Sequence, residues 1–212
     1  MVVAILPIAM NASSQVTDRD GNTYKTVKIG AQEWMAENLD MAHFRNGDPI
    51  PNAITAEEWT KAGEEGSPAW CYYDNDPVNG KKYGKLYNWF AVNDARGLAP
   101  EGWYVPSYPE WAKITNHLGG ENVADSKMKS TEGWTSNGNG TNESGFAGLP
   151  GGNRYNDGMF LLINNNGDWW STLTLESSTI FAYYSSLKDE NDNIRFYGEN
   201  KVTGHSVRCI KN

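Results

Sequence analysis

The chain has 212 residues, and its 26 Asp and Glu outnumber its 18 Lys and Arg to give a formal net charge of −8. That length can close one substantial hydrophobic core. The acidic balance, with Lys81-Lys82 as the longest basic cluster, excludes nucleic acid as an expected partner. Much of the polarity comes from Asn, Gly, Ser and Thr, which is typical of a globular protein rich in turns.

Residues 1–10 are apolar, and the polar residues 11–15 follow them. A helix that crosses a bilayer needs about 20 apolar residues, so we expect no membrane span here. Two interpretations remain open. The segment is a residual signal segment without its basic region, or it is an apolar arm that pairs with a sheet edge of its own chain or of a neighbour. We therefore divide the chain into residues 1–17, the N-terminal arm or residual signal segment, and residues 18–212, a single domain.

The first predicted element of the domain is a β-hairpin. A β-rich run covers residues 22–29, stops at Gly30 and resumes over residues 32–36. β-branched and aromatic residues favour strands, and Gly favours the turn between them. We expect Trp34 to anchor this hairpin to the core.

Three short helices are predicted next. Capping-box patterns at residues 55–58 and 107–110 mark two helix starts, because the Thr or Ser hydroxyl and the Glu carboxylate satisfy each other's free amides. The first helix continues to Ala62, and the second ends at Gly119-Gly120. Between them, residues 86–95 have apolar side chains at helical spacing and predict the third helix.

The chain changes character after residue 130. Residues 131–144 are mostly turn-formers and predict a loop. Short β-like runs separated by polar loops follow and predict an antiparallel meander; they cover residues 159–163, 169–175, 179–187, 194–197 and 205–210. The expected fold class is α+β, with short helices packed on a twisted antiparallel sheet and many loops.

Two features leave the chemistry open. Cys71 and Cys209 are too far apart in sequence for a CxxC motif, so they form either a disulfide across the domain or two buried thiols.

Residues 74–80 look faintly like a calcium loop, although they lack the Gly at position six and the terminal Glu of an EF-hand. We expect no cofactor, with a structural Ca²⁺ in this loop as the alternative.

The sequence lacks three common catalytic motifs. His43, His117 and His205 share no HExxH spacing, so no zinc-protease site is expected. The sequence also lacks a GxSxG elbow and a P-loop. We therefore expect that the chain is not an enzyme.

Aromatic and glycine phrases recur along the chain in a defined order. They occupy residues 18–39, 83–89, 102–111, 145–154, 169–171 and 204–209. Together they resemble the Fibrobacter succinogenes major paralogous domain, a family of exported bacterial proteins. The resemblance implies a C-type-lectin-like fold, related to the formylglycine-generating enzymes and to the variable receptor proteins of diversity-generating retroelements. Residues 1–17 have no counterpart in the family pattern, and His205 replaces a more familiar aromatic or other bulky residue.

The repeated phrases have a structural interpretation. Trp89, Trp103, Trp111 and one of Trp169 or Trp170 are expected to fill the core, because each buries about 150–250 Å². Arg208 is expected to brace a loop through backbone carbonyls or a carboxylate. A copper-binding cysteine pair, as in the formylglycine-generating enzymes, would have to be Cys71 with Cys209, and the expected central position of Cys209 argues against that activity.

The resemblance places ligand binding on the C-terminal part of the fold, where Tyr, Trp, Asn, Asp and Arg are interleaved as they are in paratopes. The predicted ligand-binding residues are Arg154, Tyr155, Asn156, Asp157, Trp169, Tyr183, Arg195 and Tyr197. We expect a secreted or cell-surface recognition module that binds a glycan or a protein ligand. The alternative is a structural subunit of a surface filament or envelope assembly, joined through residues 1–10.

Overall fold

The computed structural model describes residues 14–176, 178–190 and 193–212. The apolar segment of residues 1–10 therefore lies outside the described residues. The strands are β1 (Gln15–Thr17), β2 (Thr23–Ile29), β3 (Gln32–Met35), β4 (Trp70–Cys71), β5 (Leu86–Tyr87), β6 (Trp103–Tyr104), β7 (Gly151–Arg154), β8 (Phe160–Ile163), β9 (Asn166–Thr174), β10 (Phe181–Lys188), β11 (Arg195–Asn200) and β12 (Ile210–Lys211). The α-helices are α1 (Ala56–Glu64), α2 (Pro77–Tyr83), α3 (Trp89–Val92), α4 (Tyr108–His117) and α5 (Glu121–Met128), and a 3₁₀ turn covers Tyr73–Asn75.

The strands form antiparallel sheets of different sizes. The largest has the order β1-β2-β3-β12-β6, and β11-β10-β9 form a three-stranded sheet. Two hairpin-like pairs, β4-β5 and β7-β8, complete the set in the described residues. The architecture is α+β, as the sequence pattern predicts.

One segment, residues 204–211, is hydrogen-bonded to all of these sheets. Its carbonyl oxygens accept hydrogen bonds of 2.9–3.1 Å from one backbone amide in each sheet; the donors are Arg154, Tyr87, Trp170 and Met35. The last two residues of the segment form β12, which lies between β3 and β6 in the five-stranded sheet. We call residues 204–211 the C-terminal segment.

Tryptophan side chains fill the core, as expected. Trp89, Trp103 and Trp111 are buried, and so are both Trp169 and Trp170. Trp34 is also fully buried, and its ring centroid lies 4.8 Å from that of Trp111. These bulky rings allow short helices and small sheets to close a dry interior.

Local signals placed several elements correctly. The hairpin of β2 and β3 and the helix starts of α1 and α4 are confirmed. At α1, the Thr55 hydroxyl accepts from the Glu58 amide at 3.1 Å, and the Glu58 carboxylate accepts from the Thr55 amide at 3.0 Å. At α4, the Glu110 carboxylate accepts from the Ser107 amide at 2.6 Å.

The helix predicted over residues 86–95 is wrong for most of its length. Its first residues form β5, which pairs with β4, and only α3, a single turn, follows. The Asn88 side chain ends the strand and starts the turn, because its Oδ1 accepts from the amides of Ala69 (3.0 Å) and Ala91 (3.1 Å). Capping by Asn thus overrides the helical spacing.

Helix α5 was not predicted. Its buried face contains Asp125 together with Ala124 and Met128, and Asp125 forms a buried ion pair with Lys129 at 2.6 Å. A charged residue on the inner face removes the apolar periodicity by which helices are recognised in sequence.

The predicted single meander is divided. Strands β9, β10 and β11 form a meander, but β7 and β8 form a separate pair. Arg154 at the end of β7 pairs with Gly204 instead, so the C-terminal segment occupies the edge that β7 would need to extend the meander. Of the strand predicted over residues 205–210, only Ile210 falls in β12, and His205 and Ser206 make isolated bridges.

Arg208 joins the C-terminal segment to the rest of the core. Its buried guanidinium donates from Nε and Nη2 to Asn38 Oδ1 (3.0 and 2.8 Å) and from Nη1 to the carbonyls of Phe146 (2.5 Å) and Met35 (3.1 Å). Trp169 Nε1 donates to the same Asn38 oxygen at 2.8 Å. Burial lowers the pKa of Arg208 to about 9. The predicted bracing through carbonyls is confirmed, and we call Arg208 with Asn38 the Arg208–Asn38 hub.

We expect Arg208→Lys to lower the free energy of unfolding by about 3 kcal/mol, because a single ammonium cannot satisfy acceptors arranged around a planar fork and leaves buried carbonyls unpaired. Urea unfolding followed by tryptophan fluorescence measures the change. The control is Arg195→Lys, since Arg195 is exposed, and we expect it to keep the wild-type midpoint. An Arg208→Lys midpoint equal to the wild-type value would contradict the structural role of the hub.

Candidate functional site

Arg154 is not available to a ligand, so that site prediction is wrong. The side chain is only 1% exposed. Its guanidinium donates to the carbonyls of Gly158 (3.1 Å), Ala53 (2.6 Å) and Ile54 (3.1 Å) and lies 4.8 Å from the ring of Trp59. Arg154 therefore fastens the turn between β7 and β8 to the segment before α1.

Trp169 is also misassigned as a ligand-binding residue. It is fully buried, and its ring packs against those of Phe146 and Trp111, with centroids 5.5 and 6.2 Å away. Neighbouring residues Trp169 and Trp170 point to opposite faces of β9. Because both are buried, this part of the strand is covered on both sides, and its aromatic composition indicates core packing.

The turn after β7 remains accessible. Tyr155 and Asp157 are exposed, and Asn156 is half-buried. The turn closes through a hydrogen bond of 3.0 Å from the Gly158 amide to the Tyr155 carbonyl, and Asp157 Oδ1 accepts from the Met159 amide at 3.0 Å. Ligand binding by these three residues stays a prediction.

The other three predicted residues lie on a different sheet. Tyr183 is half-buried with its ring centroid 5.5 Å from that of Tyr108, whereas Arg195 and Tyr197 are exposed. In the register of β10 and β11, Tyr197 lies opposite Tyr184, so Tyr197 and Tyr183 are on opposite faces. Of the eight predicted residues, two are therefore buried, three lie together in the turn after β7, Arg195 and Tyr197 are exposed on one face of the three-stranded sheet, and Tyr183 is half-buried on the other face.

The two cysteines are free buried thiols in different hydrophobic clusters, so of the two alternatives the structure contains the second and no disulfide. Burial raises the pKa of Cys71 to about 12 and raises that of Cys209 as well. Thiols with raised pKa values and no solvent access are poor nucleophiles and poor metal ligands.

The segment compared with a calcium loop is the start of α2. Asp76 Oδ1 accepts from the Val78 amide at 2.8 Å and caps that helix. Asn75 and Asn79 donate to backbone carbonyls at 2.8 and 3.1 Å. Within the residues that the structure describes, no three His, Cys, Asp or Glu side chains converge as metal ligands do.

His205 is a buried ring in an aromatic stack. Its centroid lies 4.5 Å from those of Tyr184 and Trp170, and in the described part of the chain neither ring nitrogen has a hydrogen-bond partner. Burial lowers its pKa to about 3, so the ring is neutral at physiological pH. His205 therefore packs as an aromatic ring, but its two ring nitrogens are left without hydrogen bonds in the described residues.

Asp168 lies in a buried polar network between β7 and β10. Its carboxylate accepts from Ser186 Oγ at 2.6 Å and from Asn153 Nδ2 at 3.2 Å. Burial raises its pKa to about 6.

A surface cleft of about 680 Å³ lies away from all eight predicted residues. Its walls come from the start of β2, the loop after β3, the end of α2 and residues 130–149. The lining residues are Asn22, Thr23, Tyr24, Lys25, Ala36, Glu37, Asn38, Asp40, Gly80, Lys81, Lys82, Gly84, Ser130, Thr131, Glu132, Asn142, Gly145, Ala147, Leu149 and Arg208. We call this concavity the cleft.

The floor of the cleft is rigid and its rim is charged. The Arg208–Asn38 hub lies at the floor of the cleft. Gly84 also lines the cleft and adopts a φ of 73°. A Cβ on Gly84 would lie 2.8 Å from the Leu39 carbonyl oxygen, so only glycine allows this close approach. Exposed side chains of both charges surround the opening; they are Lys25, Glu37, Lys81, Lys82 and Glu132. A fixed floor with a polar rim is suited to bind a polar ligand.

Sequence reasoning did not find the cleft, because its lining residues come from segments that only the fold brings together. Two local signals pointed at parts of it. Lys81-Lys82 is the longest basic cluster of the chain, and residues 131–144 form the predicted loop.

Comparison with known proteins identifies the family of the chain. The family model described as the Fibrobacter succinogenes major domain matches residues 27–211. No curated protein and no solved structure matches the chain. The match includes every cleft-lining residue from Ala36 onward. None of the helices in the described residues has the length and apolar composition that crossing a membrane requires.

We expect His205→Phe to stabilise the protein by about 1 kcal/mol at pH 7, because phenylalanine keeps the stack and removes two unsatisfied polar atoms. This difference in the free energy of unfolding increases as the pH falls from 6.5 to about 3, because in that range the unfolded wild-type chain binds a proton at His205 that the folded chain does not. Asp168 acts oppositely, since its raised pKa adds stability as the pH falls from about 6 to 4. It is present in both proteins, so their difference isolates His205.

Urea unfolding at pH 7, 6, 5 and 4.5 measures this difference. The control is His117→Phe, because His117 is exposed at the end of α4, and we expect it to follow the wild type at each pH. If the difference in the free energy of unfolding between His205→Phe and the wild type stays constant with pH, His205 is not buried in its neutral form.

Proposed function

The chain belongs to the Fibrobacter succinogenes major domain family, and we propose that it is a recognition module, without catalysis, that binds a glycan in the cleft. The resemblance to exported proteins supports a secreted or cell-surface location. The short helices packed on antiparallel sheets and the long loops support a C-type-lectin-like fold for the domain.

The observation that carries this proposal is the combination of a preformed floor and a hydrogen-bonding rim. Asn38 in the floor is held by two hydrogen bonds from Arg208, which is fully buried beneath it, so a ligand meets a surface that is already ordered. Low reorganisation on binding favours affinity. Amide, carboxylate and ammonium groups around the rim match the hydroxyl groups of a sugar, which both donate and accept hydrogen bonds.

The positions of the titratable groups support binding without catalysis. The side chains with strongly shifted pKa values include His205, Cys71, Cys209 and Asp168, and all four are sealed from solvent. A general acid, base or nucleophile must reach the reacting atoms of its substrate. None of these four residues lines the cleft. Tyr24 and Arg208 do line it, and burial raises the pKa of Tyr24 and lowers that of Arg208, but both side chains are buried as well.

We expect Thr131→Trp to weaken glycan binding at least tenfold, because Thr131 is exposed on the cleft wall and an indole there fills the opening. A glycan array identifies a bound sugar, and titration calorimetry then measures its affinity for each variant. The matched control is Thr179→Trp, an equally large substitution at an exposed position outside the cleft, and it should bind as the wild type does.

The same titrations with Tyr155→Ala and Tyr197→Ala test the two exposed groups predicted from the sequence. A loss of affinity in either variant, together with unchanged binding by Thr131→Trp, would move the site from the cleft to that group.

A second candidate function is a structural subunit of a surface assembly, and the edge strand β8 favours it. In the described residues β8 pairs only with β7. Met159, Leu161 and Leu162, at or next to this edge, are 56%, 38% and 47% exposed, and the run of residues 159–163 contains no charge or proline. Unprotected apolar edges readily accept another strand. We propose that residues 1–10 of a neighbouring copy, which are apolar and have no charged side chain, add to this edge as a further strand.

Assembly through this edge predicts that the wild-type chain sediments as an oligomer at tens of micromolar and that Leu161→Lys sediments as a monomer, because an ammonium on the edge opposes strand addition. Deletion of residues 1–10 should have the same effect. Analytical ultracentrifugation checks both. The control is Leu173→Lys, at an exposed position on β9, which should keep the oligomer. An oligomer that survives both changes, or a monomeric wild type, would remove this candidate.

A further inference from the structure

The cleft lining has a small excess of positive charge, four cations against three carboxylates, in a protein whose formal net charge is −8. Lys25, Lys81 and Lys82 line it at the rim, and the guanidinium of Arg208 lies beneath them. A local charge opposite in sign to that of the whole chain indicates an electrostatic preference of the site.

The carboxylates of the cleft cancel only part of this charge. Asp40 is already paired, because Lys85 Nζ lies 2.5 Å from its Oδ1. Glu37 accepts a hydrogen bond of 2.6 Å from the backbone amide of Lys25. Glu132 is exposed at the rim. Together the cations outnumber the carboxylates that lack a lysine partner.

The lysines at the rim are free to bind a ligand. In the part of the chain that the structure describes, the ammonium groups of Lys25 and Lys81 form no hydrogen bond or ion pair. Lys82 Nζ lies 4.7 Å from the centroid of the Tyr83 ring, a contact that leaves its N–H groups available. These ammonium groups can therefore donate to an anion without breaking an existing salt bridge.

The buried cation beneath the floor strengthens this preference. The hydrogen-bond acceptors of Arg208 in the described residues are the neutral oxygens of Asn38, Met35 and Phe146. The Glu37 carboxylate interacts with this guanidinium through space and offsets only part of its charge. A charge in a medium of low dielectric constant acts over a longer distance than one at the surface. The floor thus adds a fixed positive potential to the cleft.

We propose that the ligand of the cleft is an acidic glycan, whose carboxylate or sulfate groups bind Lys81, Lys82 and Lys25. This inference rests on the proposed function and adds the chemical class of the sugar. The overall charge of −8 opposes ligands with dense contiguous phosphates more strongly than sugars with spaced anionic groups.

Paired oligosaccharides test the proposal. Titration calorimetry at 20 and 200 mM NaCl compares oligogalacturonate with its fully methyl-esterified, neutral form, and sulfated dextran with unmodified dextran. We expect an acidic member to bind at least tenfold more tightly than its neutral counterpart at low salt and to lose affinity at high salt. The carboxylated and sulfated pairs show which anion the cleft prefers.

Charge variants locate the effect. We expect Lys81→Gln with Lys82→Gln to weaken binding of the acidic sugar at least tenfold and Glu132→Gln to strengthen it two- to threefold. The matched control combines Lys61→Gln with Lys113→Gln, which removes the same charge from exposed positions outside the cleft and should change affinity less than twofold. Urea midpoints confirm that each variant is folded.

The inference is overturned if acidic and neutral sugars bind equally, if neither binds, or if the Lys81 and Lys82 double variant binds as the wild type does. Failure of the proposed function is a separate result. If Thr131→Trp still blocks a neutral sugar, the cleft remains the glycan site and only the preference for anions is lost. If an acidic peptide binds and neither acidic sugar does, the assignment to glycans is wrong as well.

Discussion

Backbone hydrogen bonds to the C-terminal segment hold the small sheets of this protein together. Isolated two-stranded pairs such as β4-β5 and β7-β8 are at best marginally stable in water. Here each sheet donates at least one backbone amide to a carbonyl of residues 204–211. The segment thereby joins several weak sheets into one domain.

The same segment connects the fold to the cleft. Arg208 extends from it to Asn38, so that Asn38 lies in the cleft floor and the Arg208 guanidinium lies buried beneath it. The loop of residues 130–149 is fixed to the hub through the Phe146 carbonyl. The hydrogen bonds that stabilise the domain therefore also determine the geometry of the concave surface, while the exposed lysines and Glu132 at the rim contribute little to stability.

The sequence predicted those features that depend on neighbouring residues. The hairpin at Gly30 and the capping boxes of α1 and α4 are local, and the tryptophan core follows from side-chain size. Features decided by tertiary packing were not predictable in this way. Aromatic and polar composition does not tell which face of β9 is covered, so Trp169 was assigned to a ligand, and the buried pair of Asp125 and Lys129 concealed α5. The cleft was missed because its walls come from segments dispersed between residues 22 and 149, which only the tertiary fold brings together.

Native-state hydrogen exchange tests the central role of the C-terminal segment most directly. The amides of Arg154, Tyr87, Trp170 and Met35 belong to different sheets but donate to carbonyls of this one segment. If the segment unites the sheets, these amides exchange only by global unfolding, with one common free energy equal to that from urea unfolding. Clearly different free energies, with one sheet opening while the others stay protected, would contradict the account.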